Sequence, residues 1–184
     1  MATIIVTEFV SLDGVMEDPG GAEKFELGGW AFKFQRGDEG DRFKLDEVMA
    51  ADALLLGRRT YEGFAAAWPG RTDDAGFADK FNSMPKYVVS TTLREPEWNN
   101  SHVIAVGDVA GLDGEILVNG SNTLVPALME NDLVDEYRLM VFPTVLGRGK
   151  NLFADGSPQA DLKLTDCRPV GPDGVAVMVY EPVR

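Results

Sequence analysis

The sequence predicts an α/β fold built on a mixed, mainly parallel sheet, with antiparallel strands at its C-terminal end and helices on both faces. Early in the chain, strand-like apolar runs alternate with helical patterns, whereas after Val134 strand-like runs follow one another without a predicted helix. The chain has 184 residues, 45% of them hydrophobic, which is enough for one buried core and too little for two. We therefore expect one domain over residues 1–184.

The first elements are a central strand and a long segment after it. Ile4–Val10 is rich in β-branched residues and predicts a strand in the middle of the sheet. Asp13-Gly14 predicts a turn. The glycine-rich, charged stretch Glu17–Gly40 carries interspersed aromatic residues and predicts a long loop that covers a pocket. Apolar residues from Leu45 to Met49 then predict a short helix that ends near Ala51.

The second strand leads into a helix through residues suited to binding an anion. Ala53–Leu56 is an apolar run, and apolar residues recur at helical spacing from Tyr61 to Trp68. Between them lie a glycine that lets the backbone approach a ligand, two cations and a threonine that fits a helix N-cap, in the order Gly57, Arg58, Arg59 and Thr60. This combination favours a phosphorylated cofactor. The alternative is a surface turn with two solvated arginines.

A second connection in which a strand leads into a helix through a glycine-containing loop lies further along the chain. Ile116–Val118 predicts a strand, and Asn119–Thr123 supplies glycine and hydroxyl groups before apolar residues at helical spacing. Pro126 lacks an N–H and fits the first helical turn, so we expect the helix to begin near Thr123. Because ligands of open α/β sheets bind beyond the carboxyl ends of strands, this loop could wrap a pyrophosphate.

The remaining strand-like runs complete the sheet. They are Lys86–Ser90, Val103–Val106, Val134–Phe142, Leu162–Cys167 and Val175–Tyr180. The turn residues Gly171–Gly174 join the last two runs in an antiparallel hairpin.

Composition excludes several classes of partner and site. A net charge of −13 makes attraction to nucleic acid or anionic lipid unfavourable. No apolar run is long enough to cross a bilayer, and the N-terminus lacks a secretory pattern, so we expect a cytoplasmic protein without membrane partners. Cys167 and His102 are the only residues of their types, so we expect neither an internal disulfide nor a Cys/His metal site.

Four motifs together resemble the dihydrofolate reductase superfamily. They are Ser11–Val15, Gly57–Tyr61, Asn119–Ser121 and Phe142–Gly149. In order and spacing they are most similar to stand-alone relatives of the reductase domain at the C-terminal end of the bifunctional riboflavin-biosynthesis deaminase/reductase, and the match covers essentially the whole chain. The resemblance implies a three-layer αβα fold. Only the reductase half is represented, because the zinc-binding deaminase half would need more His and Cys residues.

The same resemblance implies NADPH as the cofactor and a set of residues that bind it. Arg58 and Arg59 would contact its phosphates, with Ser90 and Thr91 at the adenosine 2′-phosphate. The pyrophosphate and nicotinamide would lie against residues of three loops: Gly57 and Thr60; Asn119, Gly120, Ser121, Asn122 and Thr123; and Gly14 and Val15. Thr60 and Thr123 could equally be simple helix caps.

A reductase also needs a proton donor and a substrate pocket. Asp13 is the first candidate donor, although a turn-forming Asp-Gly explains the same residue without catalysis. Asp41 is the second, because counting back from Gly57 places it near the substrate-binding carboxylate of dihydrofolate reductases. The candidates for substrate contacts are Trp30, Phe34 and Pro143. For the two aromatic residues, Trp30 and Phe34, packing in the core or in a lid is the commoner fate. A substrate phosphate would need further cations, for which the candidates are Lys33, Arg36, Arg148 and Lys150.

The resulting hypothesis is an NADPH-dependent reductase of a small heterocyclic or sugar-linked substrate, most similar to 5-amino-6-(5-phosphoribosylamino)uracil reductase. A pteridine or dihydrofolate-type reductase and a non-catalytic nucleotide-binding protein are the alternatives. We also expect a homodimer, partly from the resemblance and partly because Val175–Val179 is apolar on both faces, which a one-sided edge strand does not require.

Overall fold

One eight-stranded sheet organises the molecule. The computed structural model describes residues 1–184. The strands are β1 (Thr3–Ser11), β2 (Ala53–Gly57), β3 (Lys86–Val89), β4 (Ser101–Ile104), β5 (Glu115–Val118), β6 (Glu136–Phe142), β7 (Leu162–Val170) and β8 (Val175–Pro182). Their order is β4-β3-β2-β5-β1-β6-β8-β7. The first six strands in this order, β4-β3-β2-β5-β1-β6, pair in parallel. β8 pairs antiparallel with both β6 and β7, which confirms the predicted mixed sheet and C-terminal hairpin.

Helices cover both faces of the sheet, as predicted. They are α1 (Gly37–Ala50), α2 (Arg58–Ala67), α3 (Phe77–Ser83) and α4 (Leu124–Glu130), with short 3₁₀ turns at Trp30–Lys33 and Val106–Gly111. Crossovers between parallel strands are right-handed, so connections that run in opposite directions along the sheet place their helices on opposite faces. Two separate cores result, one beneath α1, α2 and α3 and the other beneath α4.

A third core lies on the C-terminal strands. Trp30 and Ala31 pack there against Phe142 of β6 and against Val175 and Val177 of β8. The segment before α1 therefore covers one face of the hairpin, which explains why alternate residues of β8 are buried although no helix follows β6.

Two helix starts differ from the prediction. α1 begins at Gly37, about two turns before the predicted start near Leu45, because its first turns carry exposed charged residues and no apolar pattern. Acidic Asp38 and Glu39 favour a helix N-terminus there. α2 begins directly after Gly57, so Thr60 lies within the first turn and the prediction of Thr60 as N-cap was wrong.

Candidate functional site

The two predicted ligand loops meet at the carboxyl edge of the sheet. The backbone N–H of Gly57, at the end of β2, donates a hydrogen bond to the carbonyl of Gly120 at 3.2 Å. A side chain added at Gly57 would collide with Ser121, and a Cβ at Gly120 would lie 2.8 Å from Thr60 Oγ1. Gly120 also has a φ of +97°, which L side chains rarely adopt. Glycine is therefore required at position 57 by the close approach of Ser121, and at position 120 by the positive φ and the nearby Thr60 side chain.

Hydroxyl groups line the second loop. Ser121 Oγ accepts a hydrogen bond from the backbone N–H of Leu124 at 3.2 Å and lies 2.7 Å from the Thr123 hydroxyl. α4 begins at Leu124, as Pro126 predicted. Thr123 occupies the N-cap position without a side-chain capping bond, so Ser121 satisfies the helix start instead. Asn122 is half-buried beside them.

The predicted phosphate-binding cations lie at the rim of this site. Arg58 is half-exposed and pairs with Glu62 at 3.0 Å across one helical turn. Arg59 is exposed and forms no ion pair. Ser90 follows β3, the neighbour of β2, and its Oγ accepts backbone hydrogen bonds from Thr92 at 3.1 Å and Leu93 at 3.0 Å. Thr91 beside it is exposed.

Asp13 is held as an acceptor by its neighbours. Its carboxyl group accepts hydrogen bonds from Ser11 Oγ at 2.6 Å and from the backbone N–H groups of Leu146 at 3.1 Å and Gly147 at 2.7 Å. The bond from Ser11 and the two backbone bonds lower the pKa of Asp13, so the group is ionised at neutral pH. This arrangement favours the interpretation of Asp13 as a turn residue that fastens the 146–147 loop. Gly14 follows with a φ of +85° and Val15 is buried, as this turn requires.

The candidate substrate residues divide between a pocket and the core. Phe34 and Asp41 line a pocket of about 350 Å³ together with Phe9, Phe142 and Arg36. Asp41 is exposed and accepts a hydrogen bond from Arg36 Nε at 2.6 Å. Trp30 instead lies in the core with 1% of its surface exposed, and its ring nitrogen donates to the Glu17 carbonyl at 2.8 Å. Pro143 is exposed just after β6.

Sequence reasoning missed Glu8, which lies buried beside the second loop. Only 8% of its surface is exposed, it lies between Val6 and Val10 on the α4 face of β1, and its Oε1 has no hydrogen-bond partner. Burial raises the pKa of Glu8 to about 8, although the charge of Lys44 and a hydrogen bond from the Gly120 backbone act in the opposite direction. The available signal was a carboxylate in the middle of an otherwise apolar central strand.

A second missed group lies on the α1 face of the same strand. Thr7 Oγ1 donates to the Glu47 carboxylate at 2.9 Å and accepts from Lys44 Nζ at 2.8 Å. Lys44 also forms an ion pair with Glu47, and Arg138 Nη1 lies 4.0 Å from Glu47 Oε2. The Glu47 side chain is 2% exposed, so this cluster fixes α1 against β1 in a nearly dry environment.

Two further features of the chain bear on its class. No group of three or more His, Cys, Asp or Glu side chains is arranged to hold a metal ion. None of the helices has both the length and the apolar character needed to span a membrane.

Comparison with known proteins shows which family and which structures this chain is similar to. The model of the RibD C-terminal domain matches residues 2–110 and 110–176. The Bacillus subtilis (strain 168) protein YyaP is 28% identical over 186 residues, which cover 96% of this chain and 93% of YyaP. A candidate riboflavin biosynthesis protein from Shewanella sp. PV-4 superposes over 99% of both chains with a TM-score of 0.75 and 22% identity. Dihydrofolate reductase from Enterococcus faecalis, solved with NADP(H), superposes over 99% of this chain and 97% of its own with a TM-score of 0.59 and 13% identity. The fold is therefore dihydrofolate reductase-like.

Proposed function

The chain belongs to the RibD C-terminal domain family, and on that premise we propose that it is an NADPH-dependent reductase of a small heterocyclic or sugar-linked substrate. The observation that carries this proposal is the meeting of two glycine loops, from β2 and β5, at the carboxyl edge of the sheet. Neither loop has room for a side chain at its glycine. Such an edge is where α/β sheets bind nucleotides.

The residues at this edge fit a phosphorylated dinucleotide. Backbone N–H groups at the start of α2 and the hydroxyls of Thr60 and Ser121 are donors for a diphosphate, and Arg58 and Arg59 add positive charge. The unpartnered oxygen of Asn119 is an acceptor for an amide group farther along the cleft. NADPH supplies a hydride, and the chain orients it and provides the proton.

For the substrate, we propose 5-amino-6-(5-phosphoribosylamino)uracil, with a reduced pteridine as the alternative. The aromatic pocket at Phe9, Phe34 and Phe142 suits a flat ring in either case. The cations proposed for a substrate phosphate are mostly paired: Arg36 with Asp41 at 2.6 Å, Arg148 with Glu26 at 2.8 Å and Lys150 with Glu17 at 3.8 Å. Lys33 is exposed without an ion pair. A substrate phosphate would therefore have to displace the carboxylates that pair with these cations. For this reason the assay should compare the phosphorylated substrate with its dephosphorylated form.

Turnover assays separate these candidates. Loss of dihydronicotinamide absorbance is measured with the phosphorylated ribosylaminouracil, its dephosphorylated form and a dihydropterin. Oxidation with the first compound alone supports the riboflavin-pathway reaction, and oxidation with the dihydropterin alone supports the alternative. Tight NADPH binding without oxidation by any of the three would favour a non-catalytic nucleotide-binding protein.

We expect NADPH to bind more tightly than NADH, and replacement of Arg58 or Arg59 by Ala to weaken NADPH selectively. A charge-assisted hydrogen bond contributes about 1.5–3 kcal/mol, so the loss of affinity should be about tenfold or more. Fluorescence titration of both cofactors measures it. Arg71→Ala is the control, because Arg71 stacks on Trp68 beyond the other end of α2. Equal affinities of the unmodified protein for NADPH and NADH would contradict the proposal.

We also propose a homodimer formed through the α4 face of the C-terminal hairpin. Leu164 on β7 is 48% exposed and pairs with the half-buried Tyr180 of β8, and Cys167 pairs with Met178 on the same face. Sedimentation equilibrium should give twice the monomer mass of 20.0 kDa. Leu164→Glu should give the monomer mass, whereas Met49→Glu on α1 should not. A monomer at micromolar concentration of the unmodified protein would refute the dimer.

A further inference from the structure

Two buried oxygen atoms without hydrogen-bond partners lie in the same part of the molecule. They are Glu8 Oε1 and Asn119 Oδ1. β1 and β5 pair as far as Val6 and Val118, so Glu8 and Asn119 lie just beyond the point where the two strands stop pairing. Because buried polar atoms are almost always hydrogen-bonded, this pair indicates where the polar groups of a ligand complete the structure.

The strand order places Glu8 at one end of the proposed cofactor site. Along the sheet the strands run β3, β2, β5, β1. If Ser90 after β3 takes the 2′-phosphate and the two glycine loops take the diphosphate, the nicotinamide end of the dinucleotide points towards β1. Glu8 lies two residues after Val6, and Gly120 lies two residues after Val118, its partner on β5, so Glu8 is next to the diphosphate loop on that side. Met16 Cε flanks the same glycine, 3.6 Å from its Cβ position.

We propose that Glu8 is the catalytic acid of this cleft: its carboxyl group contacts the nicotinamide of the bound dinucleotide and gives its proton to a C=O or C=N bond of the substrate. The inference rests on the proposed reductase function. In this step the Glu8 O–H bond breaks and a new O–H or N–H bond forms on the substrate. The hydride that NADPH supplies makes the new C–H bond, and NADPH is oxidised to NADP⁺. The Glu8 carboxylate then regains a proton from water.

The surroundings of Glu8 keep it protonated at neutral pH. The charges of Glu47 and Lys44 on α1 act on Glu8 from the other face of the sheet, and Glu23 in the loop after β1 and the Gly120 backbone after β5 also influence it. Burial and the two neighbouring carboxylates outweigh the lysine and the backbone donor, which leaves the pKa near 8. Asp13 is the opposite case, because its hydrogen bonds keep it ionised. Of the two carboxyl groups, only Glu8 holds a proton to give at neutral pH.

The position of Glu8 can be tested without a substrate, because the nicotinamide ring is positive in NADP⁺ and neutral in NADPH. A carboxylate next to the ring favours NADP⁺, so the affinity for NADP⁺ relative to NADPH should rise as pH increases through the pKa of Glu8. We expect a rise of about fivefold or more from about pH 6.5 to about pH 9.5, measured by calorimetric titration of both forms. Titration of the 2′-phosphate is common to both forms and cancels in the ratio.

Two variants test whether Glu8 causes this pH dependence of the affinity ratio. Glu8→Gln keeps the shape of the neutral acid, so its affinity ratio should stay constant with pH, its NADPH affinity at pH 7 should be retained, and turnover should fall by about 10²–10⁴-fold. Glu23→Gln, the matched control, should keep the pH dependence, because Glu23 adds only a nearby negative charge and is not the proposed proton donor.

Thermal unfolding is the check that Glu8→Gln still folds. The pKa of Glu8 is higher in the folded chain than its ordinary value, so its favourable contribution to stability is complete below the ordinary pKa and is lost as pH rises through about 8. At alkaline pH the variant should therefore unfold at the same temperature as the unmodified protein or at a higher one.

Several results would overturn the proposal. If the ratio of NADP⁺ to NADPH affinity does not change with pH in the unmodified protein, Glu8 does not lie next to the nicotinamide. The same conclusion follows if Glu8→Gln keeps the pH dependence. Full turnover in Glu8→Gln removes it as the acid. If neither dinucleotide binds, the proposed function fails as well, whereas intact binding with a constant ratio overturns only the role of Glu8.

Discussion

We expect Glu47→Ala to lower the free energy of unfolding by about 3–5 kcal/mol, the usual cost of removing one partner from a buried ion pair. The Glu47 side chain is 2% exposed and Lys44 is 12% exposed, so water cannot fully replace the lost carboxylate. The substitution also removes the acceptor for the Thr7 hydroxyl. Urea unfolding with an unchanged m-value measures the difference.

Two comparisons separate the ion pair from a general effect on α1. Asp46→Ala changes the exposed neighbour and should stay within about 0.5 kcal/mol of the unmodified protein. Replacing Glu47 and Lys44 together by Met should recover part of the loss, because no charge is then buried without a partner. If Glu47→Ala and Asp46→Ala were equally stable, the cluster would have no role in holding α1.

The second large effect is expected from Gly120→Ala, which should weaken NADPH binding by about tenfold or more, equivalent to about 1.4 kcal/mol. A Cβ at this position would lie 2.8 Å from Thr60 Oγ1 and would push that hydroxyl away from its place beside the loop. The φ of +97° adds backbone strain of about 1–3 kcal/mol, so stability should fall as well. Fluorescence titration and thermal unfolding measure the two effects.

Gly63→Ala is the matched control, because Gly63 lies in α2 and a Cβ there meets no atom within 4 Å. Alanine in a helix is more favourable than glycine by about 0.5–1 kcal/mol, so this variant should be slightly more stable and bind NADPH normally. Retention of full NADPH affinity in Gly120→Ala would show that the dinucleotide does not lie against this loop.

Much of the fold could be predicted from neighbouring residues in the sequence. The alternation of strand-like and helical patterns predicted the parallel strands, and the turn residues Gly171–Gly174 predicted the antiparallel hairpin. Pro126 predicted where α4 begins. The start of α1 was missed, because exposed charged residues such as Asp38 and Asp41 leave no apolar period to detect.

The candidate site depends more strongly on contacts between distant residues. Asp13 acquires its role as an acceptor from Leu146 and Gly147, which are more than 130 residues away in sequence. Thr7 meets Glu47 across 40 residues. No local pattern reports such pairs, so an Asp-Gly turn remained open to both a structural and a catalytic interpretation.

The sequence by itself determined the sheet, the positions of the two glycine loops and the family, since strand periodicity, turn chemistry and motif spacing are properties of neighbouring residues. Only the tertiary structure decided how individual carboxyl groups differ. Glu8 is buried beside Gly120 and has a raised pKa, whereas Asp13 is surrounded by donors and has a lowered pKa. The reason is physical: the protonation of a carboxyl group depends on the burial and the partners that folding brings to it.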